Sequence, residues 1–528
     1  MKKFFQRLWS GESVNVTAGA MIIGFASLAS RGVGLIRDRV LAGTFGAGSE
    51  LDAYYAAFRI PDTMYNLLIA GALTAGFIPV FTTWMEKKGE KEAWNLASRM
   101  FSTVLFVLTI ACVICFIFAP QLVPLTVPGF SNESIVQVIQ LMRIMLISPI
   151  LLGASAVMGG VLQSMRRFTA FSLAPVLYNV GIIVGTLVLA PSMGIAGVAW
   201  GVVLGAFAHA LTQWSVAGSL GFRASLIPAF RDEGVREVFR LAAPRAAGLA
   251  VTQVNLIILL ILASSLPAGS VAVLNFATNV QYLPIGLIGI SFAVAAFPAL
   301  SALWSRDDRD GFSSILEKTT RQMLFWMIPI TVFCALLNTE IMQTLLGNGK
   351  FDLADIRLSG MVFFTFALSL IPQALVPLYA RAFYAMHSTW RPFLIGVVAE
   401  LVNISVALTL RPYLGVIGLA SAFTISAWVQ CILFLFFIHQ RTAVRWNILL
   451  RSLVVHGCAS LLMIPFWWFA RKEISGSFLL LVVLSALLPL VYLLIAKLFR
   501  SEELRWFTEG ATRRFMRSVP VIGADANQ

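Results

Sequence analysis

Charge is what this chain has least of. Asp, Glu, Lys and Arg together supply 12% of 528 residues, about half the share found in soluble globular chains, which excludes an ordinary soluble protein. Histidine is nearly missing. His209, His387, His439 and His456 are scattered without ligand-like spacing, so a histidine metal centre or a His-based catalytic apparatus is excluded. The five cysteines, Cys112, Cys115, Cys334, Cys431 and Cys458, all fall inside apolar runs. An odd number so placed implies neither a disulfide framework nor a metal site, and the C-x-x-C spacing of Cys112 and Cys115 has no histidine or acidic partner and reads as packing. No G-x-x-x-x-G-K-[ST] phosphate loop occurs, which argues against ATP hydrolysis. Loops also lack the paired acidic residues of a membrane transferase or phosphatase. The cluster Asp307, Asp308 and Asp310 alternates with Arg306 and Arg309 and reads as a solvated face. No cofactor is implied.

What the chain has instead is long apolar runs. Hydrophobic residues make up 59% and mean hydropathy is +0.85. Runs of about 20 apolar residues separated by Gly, Pro or charge clusters give 14 spans, starting near Ala18, Tyr54, Phe101, Ile135, Phe168, Ile195, Val238, Val271, Met323, Leu358, Phe393, Val416, Leu449 and Phe478. The first run continues through two arginines and lacks a small-residue cleavage site, so it reads as a span and not as a cleaved signal peptide. With the leader Met1-Lys2-Lys3 inside, 27 of the 39 basic residues fall on inner segments and five on outer ones, which the positive-inside bias requires. Both termini are therefore expected in the cytoplasm. The net charge of +14 is mostly topology, and no nucleic-acid partner is needed to explain it.

An internal repeat separates a transporter from a membrane enzyme. Gly160-Val-Leu-Gln-Ser-Met165-Arg-Arg-Phe168 is echoed by Arg381-Ala-Phe-Tyr-Ala-Met386-His-Ser-Thr-Trp390, and Pro191, Gly194 and Gly197 return as Pro412, Gly415 and Gly418, each 221 residues later. Pro79 in Gly76-Phe-Ile-Pro79 likewise answers Pro298, 219 residues on. A period near 220 residues holding six spans predicts a duplicated six-helix unit. An even number of spans gives both copies one orientation, as two lobes about an axis along the membrane normal with a site at their interface. The expected fold class is an all-α polytopic membrane protein of about 14 transmembrane helices. Residues 1–221 form an N-terminal lobe (spans 1–6), 222–440 a C-terminal lobe (spans 7–12), 441–499 spans 13 and 14, and 500–528 a cytoplasmic tail.

Seven arginines interrupt the apolar runs: Arg31, Arg37, Arg39, Arg59, Arg143, Arg245 and Arg381. A guanidinium at mid-membrane costs roughly 2.5–3.5 kcal/mol even on the mildest scale, so each must face a protein interior, a water-filled cavity or an interface. Together they predict a cationic internal chamber suited to a large anion that must cross the bilayer. Arg31 and Arg37 lie six apart with Asp38 and Arg39 beside them, Asp52 follows at the outer end, and Arg59 precedes Pro61 in span two. Arg31, near mid-span, reads as a cavity residue. For Arg37, Asp38 and Arg39 a local ion pair with snorkelling to the headgroups stays open, and Arg245, after Pro244, fits cavity or interface. Glycines and prolines are numerous within spans, and their recurrence at matching places in spans two and eight favours flexible gating helices over packing alone.

The residues also carry a resemblance. Ser30-Arg31-x-x-Gly34-x-x-Arg37-Asp38, Phe45-Gly46-Ala47-Gly48, Asp52-Ala53, Ala57-Phe58-Arg59-Ile60-Pro61, Gly71-Ala72-Leu73 and Phe77-Ile78-Pro79 resemble the first two helices of the MurJ (MviN) lipid II flippases. Gly160 to Gln163 with Arg167-Phe168 and Ala174-Pro175 to Asn179 is similar to their fourth-to-fifth helix connection, and Arg381 to Ala385 to their tenth helix. The resemblance covers essentially the whole chain. It implies a member of the multidrug/oligosaccharidyl-lipid/polysaccharide exporter superfamily in a bacterial inner membrane, where it moves lipid II, undecaprenyl-pyrophosphate-linked disaccharide pentapeptide, from inner to outer leaflet for peptidoglycan synthesis. Membrane lipids and the cell-wall synthesis machinery are the other partners it implies. By similarity Arg31, Arg37 and Asp52 are cavity residues and spans 13 and 14 a groove for the polyprenyl tail. Arg59 is added on this sequence's own evidence, since arginine forks bind phosphate bidentately. Many relatives have two arginines where this chain has Tyr65-Asn66 and an arginine where it has Asn279, so the cavity here is less cationic, with Asn279 and Gln281 as hydrogen-bond donors. A second-lobe sodium site has only Gln253, Asn255, Glu400, Asn403 and Thr424 as polar counterparts, and pairing between helices is equally open for them. The alternatives are an exporter of another lipid-linked oligosaccharide or a drug, and a membrane enzyme or scaffold.

Overall fold

The computed structural model describes residues 16–67, 76–474, 477–499 and 501–506. The basic leader, the motif residues Gly71, Ala72 and Leu73, and the tail from 507 onward lie outside the described residues. Every regular element among the described residues is helical, as hydrocarbon demands, because a helix satisfies each backbone N–H and C=O from its own segment. Ten helices or continuous helix runs are long and apolar enough to cross a membrane, twelve when two bent pairs each count as one. The helix Val16–Phe45 on the span predicted from near Ala18 is not among them, and the span predicted from near Tyr54 runs into the undescribed residues at 68–75, so fourteen stays an expectation and the count among the described residues stands at ten to twelve.

Two compact units are formed. The first comprises Met1–Val280, Leu345–Ser359 and Glu400–Ala422, and the second Gln281–Thr344, Gly360–Ala399 and Phe423–Gln528. These units group residues by contact and do not follow the linear boundary at residue 221 that the repeat suggests.

In the first unit the helices are α1 (Val16–Phe45), α2 (Ser49–Tyr65), α3 (Ile78–Lys87), α4 (Glu90–Ile117), α5 (Ala119–Thr126), α6 (Asn132–Met145), α7 (Ile147–Ser164), α8 (Phe168–Val184), α9 (Ala190–Met193), α10 (Ile195–Ser219), α11 (Glu233–Ser264) and α12 (Ser270–Pro284). Polar caps set their starts: the Ser131 hydroxyl accepts from Ser134 N at 3.2 Å before α6, and Asp232 accepts from Val235 N at 3.1 Å before α11. α11 bends by 57° between Ala243 and Gly248, at the position of Pro244, whose ring removes a backbone donor. The core is aromatic and aliphatic, with Phe77, Phe81, Phe101, Val157, Val161 and Val238 buried together. α8 runs on through a π-helical turn at Gly185–Leu189 and lies against α10 with almost no side chain between them. A Cβ at Gly201 would stand 2.8 Å from Gly185 Cα and 2.9 Å from the Gly181 carbonyl oxygen, the small-residue contact by which membrane helices approach.

The second unit begins at Gln281 with the end of α12 and a π-helical turn, Ile285–Ile290, and holds α13 (Ser291–Ser305), α14 (Arg309–Leu336), α15 (Asn338–Leu346), α16 (Leu353–Ala367), α17 (Leu370–Ala385), α18 (Trp390–Leu414), α19 (Val416–His439), α20 (Trp446–Leu461), α21 (Met463–Glu473) and α22 (Ser477–Leu498), apart from the pieces of α15, α16, α18 and α19 that belong to the first. The acidic cluster expected as a solvated face has a structural duty too. Asp308 caps α14 by accepting from Gly311 N at 2.8 Å, and Arg309 stacks 3.3 Å over the Trp304 ring. After α22 the chain folds back, and Glu503 accepts from Arg321 Nε at 2.7 Å and from the Ser452 hydroxyl at 3.2 Å, with His456 Nε2 at 3.3 Å. Burial, the largest single influence, raises the Glu503 carboxyl, but the bonds from His456, Ser501, its own backbone and Arg321 together outweigh it and hold the group below the usual carboxylate range.

Candidate functional site

The cationic residues of α1 are organised by an aspartate. Arg37 donates through Nε and Nη2 to Asp38 Oδ1 at 3.0 and 2.7 Å, and through Nη1 to Asn179 Oδ1 at 2.9 Å. Asp38, 2% exposed, accepts on its other oxygen from Asn279 Nδ2 at 2.8 Å. Asn179 is aimed by its own helix, since its amide donates to the Pro175 carbonyl one turn back at 3.1 Å. Among the described residues three of the guanidinium's five N–H groups are thus engaged and two are left. Of the local ion pair left open for Arg37, Asp38 and Arg39, the Arg37–Asp38 part is present, and Arg39 donates to the Leu345 carbonyl at 3.3 Å.

Asp52 is placed as a cap and not as an open ligand. Its oxygens accept from Gly269 N at 2.7 Å and Ala272 N at 2.8 Å, at the start of α12, and the side chain is buried. A carboxylate at a helix N-terminus meets unpaired donors and the positive end of the dipole. Around it the same end of the first unit is closed by backbone contacts: Lys350 N donates to the Gly43 carbonyl at 2.8 Å, Ala47 N to Asp355 Oδ2 at 3.0 Å, and a Cβ at Gly46 would stand 2.8 Å from the Lys350 carbonyl oxygen. Gly46, Gly269 and Gly349 have φ of +69°, +92° and +57°, which only glycine takes without strain. Aromatic rings seal the layer beneath, with Tyr55 edge-on to Phe276 at 5.9 Å and Phe276 edge-on to Phe351 at 5.8 Å.

Arg59 sits apart from this network on α2. It is 4.0 Å from Asp62, and its Nε is buried with no hydrogen-bond partner among the described residues, a donor whose desolvation costs about 1–3 kcal/mol until an acceptor arrives. Arg31 is half-buried on α1, six residues before Arg37. Thus the structure brings Arg37 and Asn279 together through Asp38, holds Asp52 at the closed end, and places Arg59 beside Asp62. Arg381, in the second unit, donates to the Pro377 carbonyl at 3.2 Å. The Arg245 side chain lies outside the described residues. Asn179 is a site residue that sequence reasoning did not assign, and Asp38 one that it named only as a partner in a local ion pair. The available signal was an amide and a carboxylate inside otherwise apolar runs, one of them four residues after a proline. Of the polar residues named for a sodium site, Asn403 donates to Asn255 at 3.3 Å, Gln253 accepts from Thr63 at 3.3 Å and Thr424 donates to the Thr365 carbonyl at 2.8 Å, which is pairing between helices.

The fold is shared with known transporters. A multidrug resistance MATE family transporter of the MOP superfamily, in an inward-facing conformation, matches with a TM-score of 0.68 at 16% identity over 78% of this chain and 93% of its own. Polytopic helical transporters with buried polar groups are the class that fold and site define. A structure described as "Lipid II flippase MurJ, inward closed conformation" matches with a TM-score of 0.78 at 23% identity over 91% of this chain and 98% of its own. The family model "Lipid II flippase MurJ" matches residues 41–491, and the chain belongs to that family. Relatives include a "Probable lipid II flippase MurJ" of Rhizobium meliloti, 28% identical over 78% of either chain, and a "Lipid II flippase MurJ" of Burkholderia cenocepacia, 25% identical over 81% of this chain and 84% of its own.

Proposed function

We propose that this protein is a lipid II flippase, moving an undecaprenyl-pyrophosphate-linked peptidoglycan precursor from the inner to the outer leaflet by alternating access. The observation that carries this reading is Arg37, a guanidinium in an apolar helix oriented by Asp38 and Asn179 with two N–H groups left over. A pyrophosphate with sugars attached cannot cross hydrocarbon unaided, and an oriented fork offers it bidentate bonds. Arg31 and Arg59 add charge along the same route, Asn279 supplies an amide, and Asp52 acts by holding the closed end. The lobes are residues 1–221 and 222–440, both termini are cytoplasmic, and the membrane is the bacterial inner membrane. The exposed apolar side chains of α20 to α22, such as Leu461, Phe469 and Leu490, suit a polyprenyl tail. Transport involves no bond making or breaking, so no catalytic residue is assigned.

The test is growth and lipid II accessibility in a conditional flippase-depletion strain. Arg31→Ala and Arg37→Ala are expected to abolish rescue while the protein remains in the membrane, and Arg37→Lys to rescue partly, because a point charge lacks the planar fork. Normal rescue by the doubly substituted chain would refute the reading. Because the fold is shared with multidrug transporters, drug susceptibility is measured alongside. Altered susceptibility without rescue would point to the exporter alternative.

A further inference from the structure

A second polar feature lies on the far side of α6 and belongs to none of the foregoing. Gln137, Gln140 and Arg143 recur at every third position of α6 and line a groove of about 730 Å³, together with Glu50 at the start of α2, Phe116 at the end of α4 and Trp200 of α10. The turn between α9 and α10, at Gly194 with φ of +58°, also forms part of its wall. Where two spans reverse, the surroundings are headgroups, so this stripe stands at the bilayer interface and not at its centre. That resolves why Arg143 is tolerated in an apolar run.

The groove is built but incomplete. Arg143 Nε donates to the Phe116 carbonyl at 3.2 Å, and the guanidinium lies 4.9 Å over the Phe116 ring. This fixes its plane and leaves both Nη groups without a bond to another described residue. Gln137, Gln140 and Glu50 have no side-chain hydrogen bond to another described residue either. Phe116, Ile147, Met193 and Trp200 beside them are exposed apolar surface. The lining therefore offers one cation, one carboxylate and two amides on an apolar wall, with no net charge.

We propose that this groove is a binding site for a zwitterionic glycerophospholipid of the phosphatidylethanolamine type. The phosphate meets the Nη pair of Arg143, the ammonium meets Glu50, the two glutamines bond the ester and headgroup oxygens, and the acyl chains follow the exposed apolar wall. The charge balance selects against its competitors. Phosphatidylglycerol brings an anion but no cation for Glu50, and a lipid pyrophosphate brings at least two negative charges to a single guanidinium. The site does not depend on which cargo the protein carries.

Native mass spectrometry of the full-length protein, released from detergent with equimolar phosphatidylethanolamine and phosphatidylglycerol, tests this directly. The parent chain is expected to retain phosphatidylethanolamine preferentially, and Arg143→Gln to lose about tenfold in its retention, the worth of one charge-assisted pair. Glu50→Gln is expected to reverse the preference toward phosphatidylglycerol, a result that misfolding does not produce. Equal retention of both lipids by the parent and both variants would overturn the proposal. So would displacement of phosphatidylethanolamine by equimolar undecaprenyl pyrophosphate, which would make the groove a site for a lipid pyrophosphate instead.

Discussion

Arg37 shows how a buried cation is made useful without being neutralised outright. Asp38 takes up its charge through one oxygen and spends the other on Asn279, so a single carboxylate both orients the fork and ties α1 to α12. Removing one partner of such a buried pair leaves an uncompensated charge and costs about 3–5 kcal/mol. Asp38→Ala is therefore expected to lower the melting temperature of the purified protein and abolish rescue of a flippase-depleted strain. Asn279→Arg is expected to keep rescue, because a guanidinium there donates to the same Asp38 oxygen, whereas Asn279→Leu loses that donor and rescues poorly. An Asp38→Ala protein as stable and active as its parent would show that the pair is ornamental. At this scale the sequence was partly legible. Arginines in apolar runs announce themselves by cost, and Asp38 was visible beside them, but Asn179 stands 142 residues from Arg37 and only the packing of α8 on α1 makes them neighbours.

Helices and their contacts were the most legible level, because a span is a local property of about 20 residues, whereas the exceptions to helical geometry are not. Ten to twelve spans match runs read from hydropathy. The π-helical turns at Asn66–Leu67 and Ile285–Ile290, at places related by the 219-residue offset of the prolines, are not written in any residue type. They do give physical content to the expectation that spans two and eight are flexible, since a π-turn breaks the i to i−4 ladder at the point where a helix bends. The close glycine contact of α10 with the α8 end and the π-turn after it, by contrast, is dictated by composition. Gly201→Val would drive a branched side chain into the backbone around Gly185 and Gly181, with a cost of about 1–3 kcal/mol for overpacking. Thermal unfolding in detergent is expected to shift down by several degrees for Gly201→Val and not for Gly24→Ala, whose Cβ would meet nothing within 4 Å. Equal melting temperatures for the two would mean that these helices slide freely.

For the molecule as a transporter the decisive question is whether the closed end ever opens. The seal combines the α1–α2 turn, the beginning of α12 and the loop before α16, through Asp52, the Gly43 carbonyl and Asp355. On the charge-based topology this end faces outward, so it must part for cargo to reach the outer leaflet. Backbone contacts made by glycine suit such a seal, because they are close without being hydrophobic, and parting them exposes groups that water can solvate at once. A Cβ at Gly43 would lie 3.6 Å from Asn348 Cβ, inside the range a disulfide spans. In a chain whose five native cysteines are replaced, Gly43→Cys with Asn348→Cys is expected to oxidise readily and to stop lipid II from appearing on the outer surface, with transport returning on reduction. Each single cysteine should leave transport intact under the same oxidant. Alternating access requires this because the cargo's sugars and pyrophosphate cannot leave through lipid. Undiminished transport by the oxidised pair would leave the Arg37 site standing but would send the cargo out by a path that never breaches this seal.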